Sequence, residues 1–202
     1  MTFNSHVSSI CTKASQKLHA LSRVCRMMTH PQRKKVMKAF IHSQFGYCPL
    51  VWMFHSRKLN NRINDIHERA LRIVYNDYTS TFEILLQKDE SYTIHQRNIQ
   101  MLAIELYKVA NEISPKIMSF VFPIKDIIRY PRENIFETRN CRTVRYGTDS
   151  LAHLGPKIWS LLPKTLKEET SLTKFTRKIK KWKAEKCPCR MCKTYIKGLG
   201  FL

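Results

Sequence analysis

The 202 residues suffice for one domain or two small ones, and 43% apolar with 25% charged side chains is the balance of a chain that buries a core. Five glycines and eight prolines exclude glycine-rich phosphate loops and long flexible linkers. Thirty-six Lys and Arg against 15 Asp and Glu leave a net charge of +21, which points to a polyanionic partner, with nucleic acid the first choice.

Val7, Ile10, Cys11, Ala14, Leu18, Leu21, Val24, Cys25 and Met28 recur at three- and four-residue steps and predict a first helix. Asn4 or Ser5 is its expected cap, and Lys13, Lys17, Arg23 and Arg26 lie on its opposite face. Thr29, Pro31 and Gln32 supply a cap, an early-turn proline and a capping-box glutamine for a second helix. Its expected core residues are Val36, Met37, Phe40, Ile41 and Phe45, with Arg33, Lys34, Lys35 and Lys38 near its start. Residues 46–49 break it, and 49–54 form an apolar segment without periodicity, expected at the centre of the core. Ser56 caps a third helix that turns Leu59, Ile63, Ile66, Ala70, Ile73 and Val74 inward. A short helix over 81–87, a long one over 93–111 and a short one after Pro115 complete an all-helical unit spanning 1–123.

The pattern loosens over 124–146, where 139–146 alternates as a single strand would. Residues 155–163 predict one or two helical turns bracketed by prolines. Ser171 caps a basic helix over 171–186, with Leu172, Phe175, Ile179 and Trp182 on one side and Lys174, Arg177, Lys178, Lys181 and Lys183 on the other. Phe175 and Trp182 read as core rather than as stacking platforms. The expected fold class is mainly α: a helical bundle over 1–123, then a smaller, less regular helical segment over 124–202 with a Cys-rich tail at 187–192.

Charge is unevenly placed. Residues 1–64 carry 11 basic side chains and no acid, 65–170 carry 15 basic and 14 acidic, and 171–202 carry 10 basic and one acidic. Two basic ends around a balanced middle suit polyanion-contacting surfaces better than a diffuse solubility device. The odd number of cysteines, seven, argues against a secreted disulfide framework and for a reducing, intracellular compartment, nucleus or cytoplasm. The longest apolar run, 45–54, is half of what a membrane helix needs, so no membrane partner is expected.

Catalytic patterns are missing. The chain has no Asp-Asp or Asp-x-Asp pair for two-metal phosphoryl transfer, no His-Glu-x-x-His helix, no Walker loop and no Gly-x-Ser-x-Gly elbow. His67 beside Glu68 reads as a packed histidine, and Ser150 with His153 as a helix cap and a surface group. Cys187, Cys189 and Cys192 place three thiols in six residues among Lys186, Arg190 and Lys193, which predicts lowered thiol pKa values and metal ligation. Zinc, the cofactor that such thiols suit, needs a fourth ligand, for which Cys141 or His153 would have to fold back.

Residues 18–24 (LHALSRV), 38–52 (KAFIHSQFGYCPLVW) and 62–75 (RINDIHERALRIVY) resemble the thumb region of non-LTR (LINE-type) retrotransposon reverse transcriptases. Residues 155–163 (GPKIWSLLP) and 171–175 (SLTKF) resemble the closing motif of the same reading frames. The resemblance implies a helical thumb that grips an RNA–DNA duplex, without the palm aspartates or the endonuclease of the RNA-directed DNA polymerase, so no catalytic residue carries over. A truncated, non-catalytic fragment is expected, binding RNA, DNA or their hybrid without sequence preference. Arg23, Arg26, Arg33, Lys34, Lys35 and Lys38 form the first set of expected phosphate contacts, and Lys174, Arg177, Lys178 and Lys181 the second. The alternatives are a self-associating structural remnant and an accessory acting in trans with an intact polymerase.

Overall fold

A computed structural model describes residues 3–125, 135–138, 140–184, 187–189 and 191–192. The described residues hold ten α-helices and no strand, a mainly α fold as the helical periodicities require. The chain divides into two compact units between His95 and Gln96. That boundary lies inside a helix, well before the expected break at 123, and no change of composition marks it.

In the first unit, α1 (Asn4–Val24) buries Val7, Ile10, Cys11, Ala14, Leu18 and Leu21, the predicted stripe. Phe3, not Asn4 or Ser5, stands at its cap position and makes no side-chain cap bond, because the helix already includes both polar residues. A 3-10 turn (Cys25–Met27) leads to α2 (His30–Val36), where the Thr29 amide donates to Gln32 Oε1 at 2.8 Å. A π turn (Met37–Ile41) and a 3-10 turn (His42–Phe45) follow. Met37 and Ile41 are fully buried, whereas Phe40 is 54% exposed, against its expected place in the core. In a regular α-helix Phe40 would share a face with Met37, three residues back. The wider π turn takes one more residue per hydrogen bond and turns the ring outward. The exposed ring forgoes part of the roughly 1.5–3 kcal/mol that full burial of a phenylalanine contributes.

Within residues 49–54 lies a short helix, α3 (Pro49–Trp52), whose Trp52 is buried with the following Met53 while Val51 is 55% exposed. Helix α4 (Arg57–Tyr75) lays Ile63, Ile66, Ala70, Leu71 and Val74 into one cluster with the α1 stripe. Arg62 ties the two helices at their rim, donating to Ser8 Oγ and Thr12 Oγ1, each at 3.1 Å. Asn76 ends α4 in the left-handed region at φ 51°, a conformation asparagine tolerates. Helix α5 (Phe82–Lys88) closes the unit, its Leu85 fully buried.

Helix α6 (Ile94–Ala110) begins at the end of the first unit and runs into the second, where α7 (Ile117–Val121) follows and, among the described residues, a lone antiparallel bridge pairs Ile124 with Phe136. The alternation over 139–146 does not give a strand among the described residues: Arg139 lies outside them, and Val144–Thr148 is a π turn. Helix α8 (Leu151–Ser160) begins earlier than expected because Ser150 Oγ accepts from the His153 amide at 3.3 Å. Pro156 therefore sits inside the helix rather than at its edge. Gly155 is required, since a Cβ there would come within 2.4 Å of the Phe122 ring. After α9 (Lys164–Lys167), helix α10 (Leu172–Ile179) stacks Phe175 on Tyr107, with ring centroids 4.2 Å apart. The basic helix thus stops at Ile179, short of the expected 186, while Lys186 itself lies outside the described residues. No helix among the described residues is long and apolar enough to cross a membrane.

Candidate metal centre and cationic faces

Helix α6 opens on an uncharged polar run. His95, Gln96, Asn98 and Gln100 are all buried, an unusual density of polar groups for a helix interior. The two glutamines have identified work. Gln100 Nε2 donates to the Trp182 carbonyl at 2.8 Å and to that of Lys180 at 3.3 Å. Gln96 Nε2 donates to the same Trp182 carbonyl at 3.2 Å, and Gln96 Oε1 accepts from the Ala184 amide at 3.3 Å. The backbone after α10 is thus received by side chains of α6, which explains why the helix does not continue to 186. Trp182 is half-buried there, beside the fully buried Phe175 and Ile179.

Beyond this clamp the chain reaches the cysteines. One ligand atom each from His95, Cys187, Cys189 and Cys192 lies within 4.8 Å of every other, a group that can hold a metal ion. His95 sits on the first turn of α6, one residue before Gln96, so the clamp and the fourth ligand share a helix. His95, Cys187 and Cys189 are buried and Cys192 is half-buried. The Cys192 amide points at Cys189 Sγ, 3.5 Å away.

The thiol pKa values run opposite to expectation. Cys187 is pushed up to about 12, first by its hydrogen bond to Cys189 and then by burial. Cys192 is also raised, by its hydrogen bonds to Cys187 and Cys189 and by burial. Three sulfurs that crowd one another in a buried place cannot all ionise without a cation among them. The cations expected to lower them, Lys186, Arg190 and Lys193, lie outside the described residues.

The fourth ligand is also a correction. Cys141 and His153 do not join the cluster; Cys141 Sγ lies 3.5 Å from His153 Nδ1, and His153 is buried, not a surface group. His95, 92 positions before Cys187, was invisible to spacing rules. Its one signal was the uncharged run from His95 to Gln100, broken only by Arg97, in a chain that is 25% charged. No disulfide joins the seven cysteines.

Arg23, Arg26, Lys35 and Lys38 are exposed in the first unit, and Lys174, Arg177 and Lys181 in the second. Arg33, Lys34 and Lys178 make defined contacts within the chain. Arg33 Nε donates to the Cys25 and Met28 carbonyls at 2.7 and 3.0 Å. Lys34 Nζ lies 2.8 Å from Asp89 Oδ1, and Lys178 Nζ lies 2.7 Å from Glu169 Oε2. His67 is fully buried, edge-on to the rings of His42 and Phe82 at 4.7 and 5.5 Å, which is a packed position.

Comparison with protein-family models, with curated proteins and with solved structures finds no match to this chain.

Proposed function

We propose that this chain binds nucleic acid through its phosphates, without sequence preference, as the thumb and C-terminal segment of a non-LTR reverse transcriptase would. It carries no polymerase or nuclease chemistry of its own in this reading, consistent with the lack of paired aspartates in the sequence. The observation that carries the reading is α10: Phe175 and Ile179 anchor the helix in the second unit while Lys174 and Arg177 stand exposed on it and Lys181 is exposed just past its end. A cationic face on a packed helix presents charge in a fixed array, which is what backbone contact needs. The 11 basic residues and absent carboxylates of 1–64 give the first unit the same sign.

Zinc is the ion that suits the cluster. Three thiolates and one imidazole are a tetrahedral zinc set, with bonds of about 2.3 Å to sulfur and about 2.0–2.1 Å to nitrogen. The ion would balance the charge that the crowded thiols cannot carry alone, and would hold the segment after α10 to α6. In this reading its role is structural, since all four positions are filled by protein.

The test is binding of a labelled RNA–DNA hybrid, and of single-stranded RNA, across a salt series. Neutralising about six phosphates predicts a log–log slope of about −5 on duplex, and a slope near zero overturns the reading. A second reading, self-association, is favoured by Ile113 and Ile117, which are 55% and 65% exposed. Concentration-dependent sedimentation is its signature.

A further inference from the structure

The first unit carries an aromatic side chain whose exposure has a structural cause. Phe40 is held out of the core by the π turn Met37–Ile41, while Met37 and Ile41 on either side of it are fully buried. Insertions of this kind recur at functional sites, where they re-aim a side chain at some cost to the helix. The Lys17 ammonium on α1 lies over the ring, 6.0 Å from its centroid, at the outer reach of a cation–π contact. Lys13, one turn earlier on α1, is exposed on the same face. Lys38 is exposed two residues before the ring, and α1, α2 and the π turn contain no carboxylate.

A flat apolar ring with the Lys17 ammonium over it, and with Lys13 and Lys38 exposed on the neighbouring stretches of chain, fits a ligand that is itself flat and apolar at one point and anionic at the next. An apolar protein surface would cover the ring but leave the lysines without counter-charge, and a duplex keeps its bases stacked on one another. A single strand offers both parts, a base to stack and a phosphate on each side of it. We propose that Phe40 is a base-stacking platform for single-stranded nucleic acid, with Lys17 and Lys13 taking the adjoining phosphates. This rests on the nucleic-acid reading above and narrows it, at this place, to unpaired strand.

The experiment uses the full chain and three labelled probes of equal length: a single-stranded RNA, a single strand of the same charge carrying abasic sites, and a duplex. The wild type is expected to bind the intact single strand more tightly than the abasic one. Phe40→Leu removes that contrast, weakening intact single-strand binding roughly five- to hundredfold, and Phe40→Trp restores it. Tyr78→Leu, which alters an exposed aromatic elsewhere in the same unit, leaves the contrast intact. Circular dichroism and melting of the two Phe40 variants establish that the helices persist. Salt-steep binding of all three probes with no intact-over-abasic contrast, or a contrast that survives Phe40→Leu, overturns the stacking proposal while the phosphate reading stands. No salt-steep binding to any probe overturns both.

Discussion

Lys34 and Asp89 lie 2.8 Å apart, and the carboxylate side chain is only 1% exposed. An ammonium that the sequence offers as a phosphate contact is thus committed to holding the end of α5 against α2. Tyr75 completes the arrangement, its hydroxyl donating to Asp89 Oδ1 at 3.0 Å. Asp89→Asn is expected to destabilise the chain by about 1–3 kcal/mol, the range for losing charge-assisted hydrogen bonds at a buried group. Urea unfolding followed by circular dichroism measures it. Lys34→Ala is expected to lower stability in the same experiment while leaving the salt slope of nucleic-acid binding unchanged.

The same pair sets a pH dependence. Burial alone would raise the Asp89 carboxyl, but the Lys34 ammonium and the Tyr75 hydroxyl hydrogen-bonded to it outweigh that and hold the group below its ordinary value. Its contribution is therefore complete above the unfolded carboxylate pKa and lost as pH falls through the lower folded value. Lys34 is raised by its hydrogen bond to Asp89 against the opposing effect of burial, so its contribution is complete below the ordinary lysine value and lost as pH rises through the folded one. Unfolding free energy measured from neutral to acid pH should fall less steeply in Asp89→Asn than in the wild type. Identical acid limbs would show that the pair contributes nothing.

Chain purified from zinc-containing medium should carry about one zinc per molecule. His95→Ala and Cys189→Ser should each lose it, and cobalt bound in its place should show thiolate charge-transfer absorption. A chelator should lower the melting temperature of the wild type and leave that of His95→Ala unmoved. Zinc content near zero in the wild type would end the zinc reading.

Gly155→Ala should be costly, because the new Cβ would meet Phe122 Cε1 at 2.4 Å inside a packed cluster of Phe122, Phe136 and Trp159. Overpacking of this kind costs about 1–3 kcal/mol. At Gly46 the nearest atom to a Cβ would be 3.5 Å away, ordinary contact, so Gly46→Ala serves as the neutral comparison. Thermal melts of the two variants separate the cases.

Replacing Lys174, Arg177 and Lys181 together by alanine should make the salt slope on duplex shallower by about 3, close to one per lost phosphate contact. Phe175 and Ile179 are untouched, so the helical spectrum should persist. An unchanged slope would remove α10 from the interface.

Much of the fold was legible because apolar periodicity reports burial directly. The α1 stripe, the inward face of α4 and the Phe175–Ile179 side of α10 all appear where three- and four-residue spacing puts them. Phe40 was misread because a π turn is a local change of pitch, and the residue pattern through 37–41 is that of an ordinary helix. Pro156 was misread because proline is usually a boundary, whereas here the Ser150 cap starts α8 early enough to enclose it. Of the metal cluster, the three cysteines are conspicuous by local spacing, but His95 comes to them only through tertiary packing. Ion pairing is likewise a tertiary fact: nothing near Lys34 in the sequence announces Asp89.

The glutamine clamp has a consequence for synthesis on the ribosome. Gln96 meets the Trp182 carbonyl across 86 residues of chain. At about 5–20 residues per second, α6 emerges roughly 4–17 s before the backbone that satisfies its buried amides exists. During that interval His95, Gln96 and Gln100 face whatever else is at hand, water or a chaperone. The nascent second unit is thus open longest at the helix on which its mature form depends most.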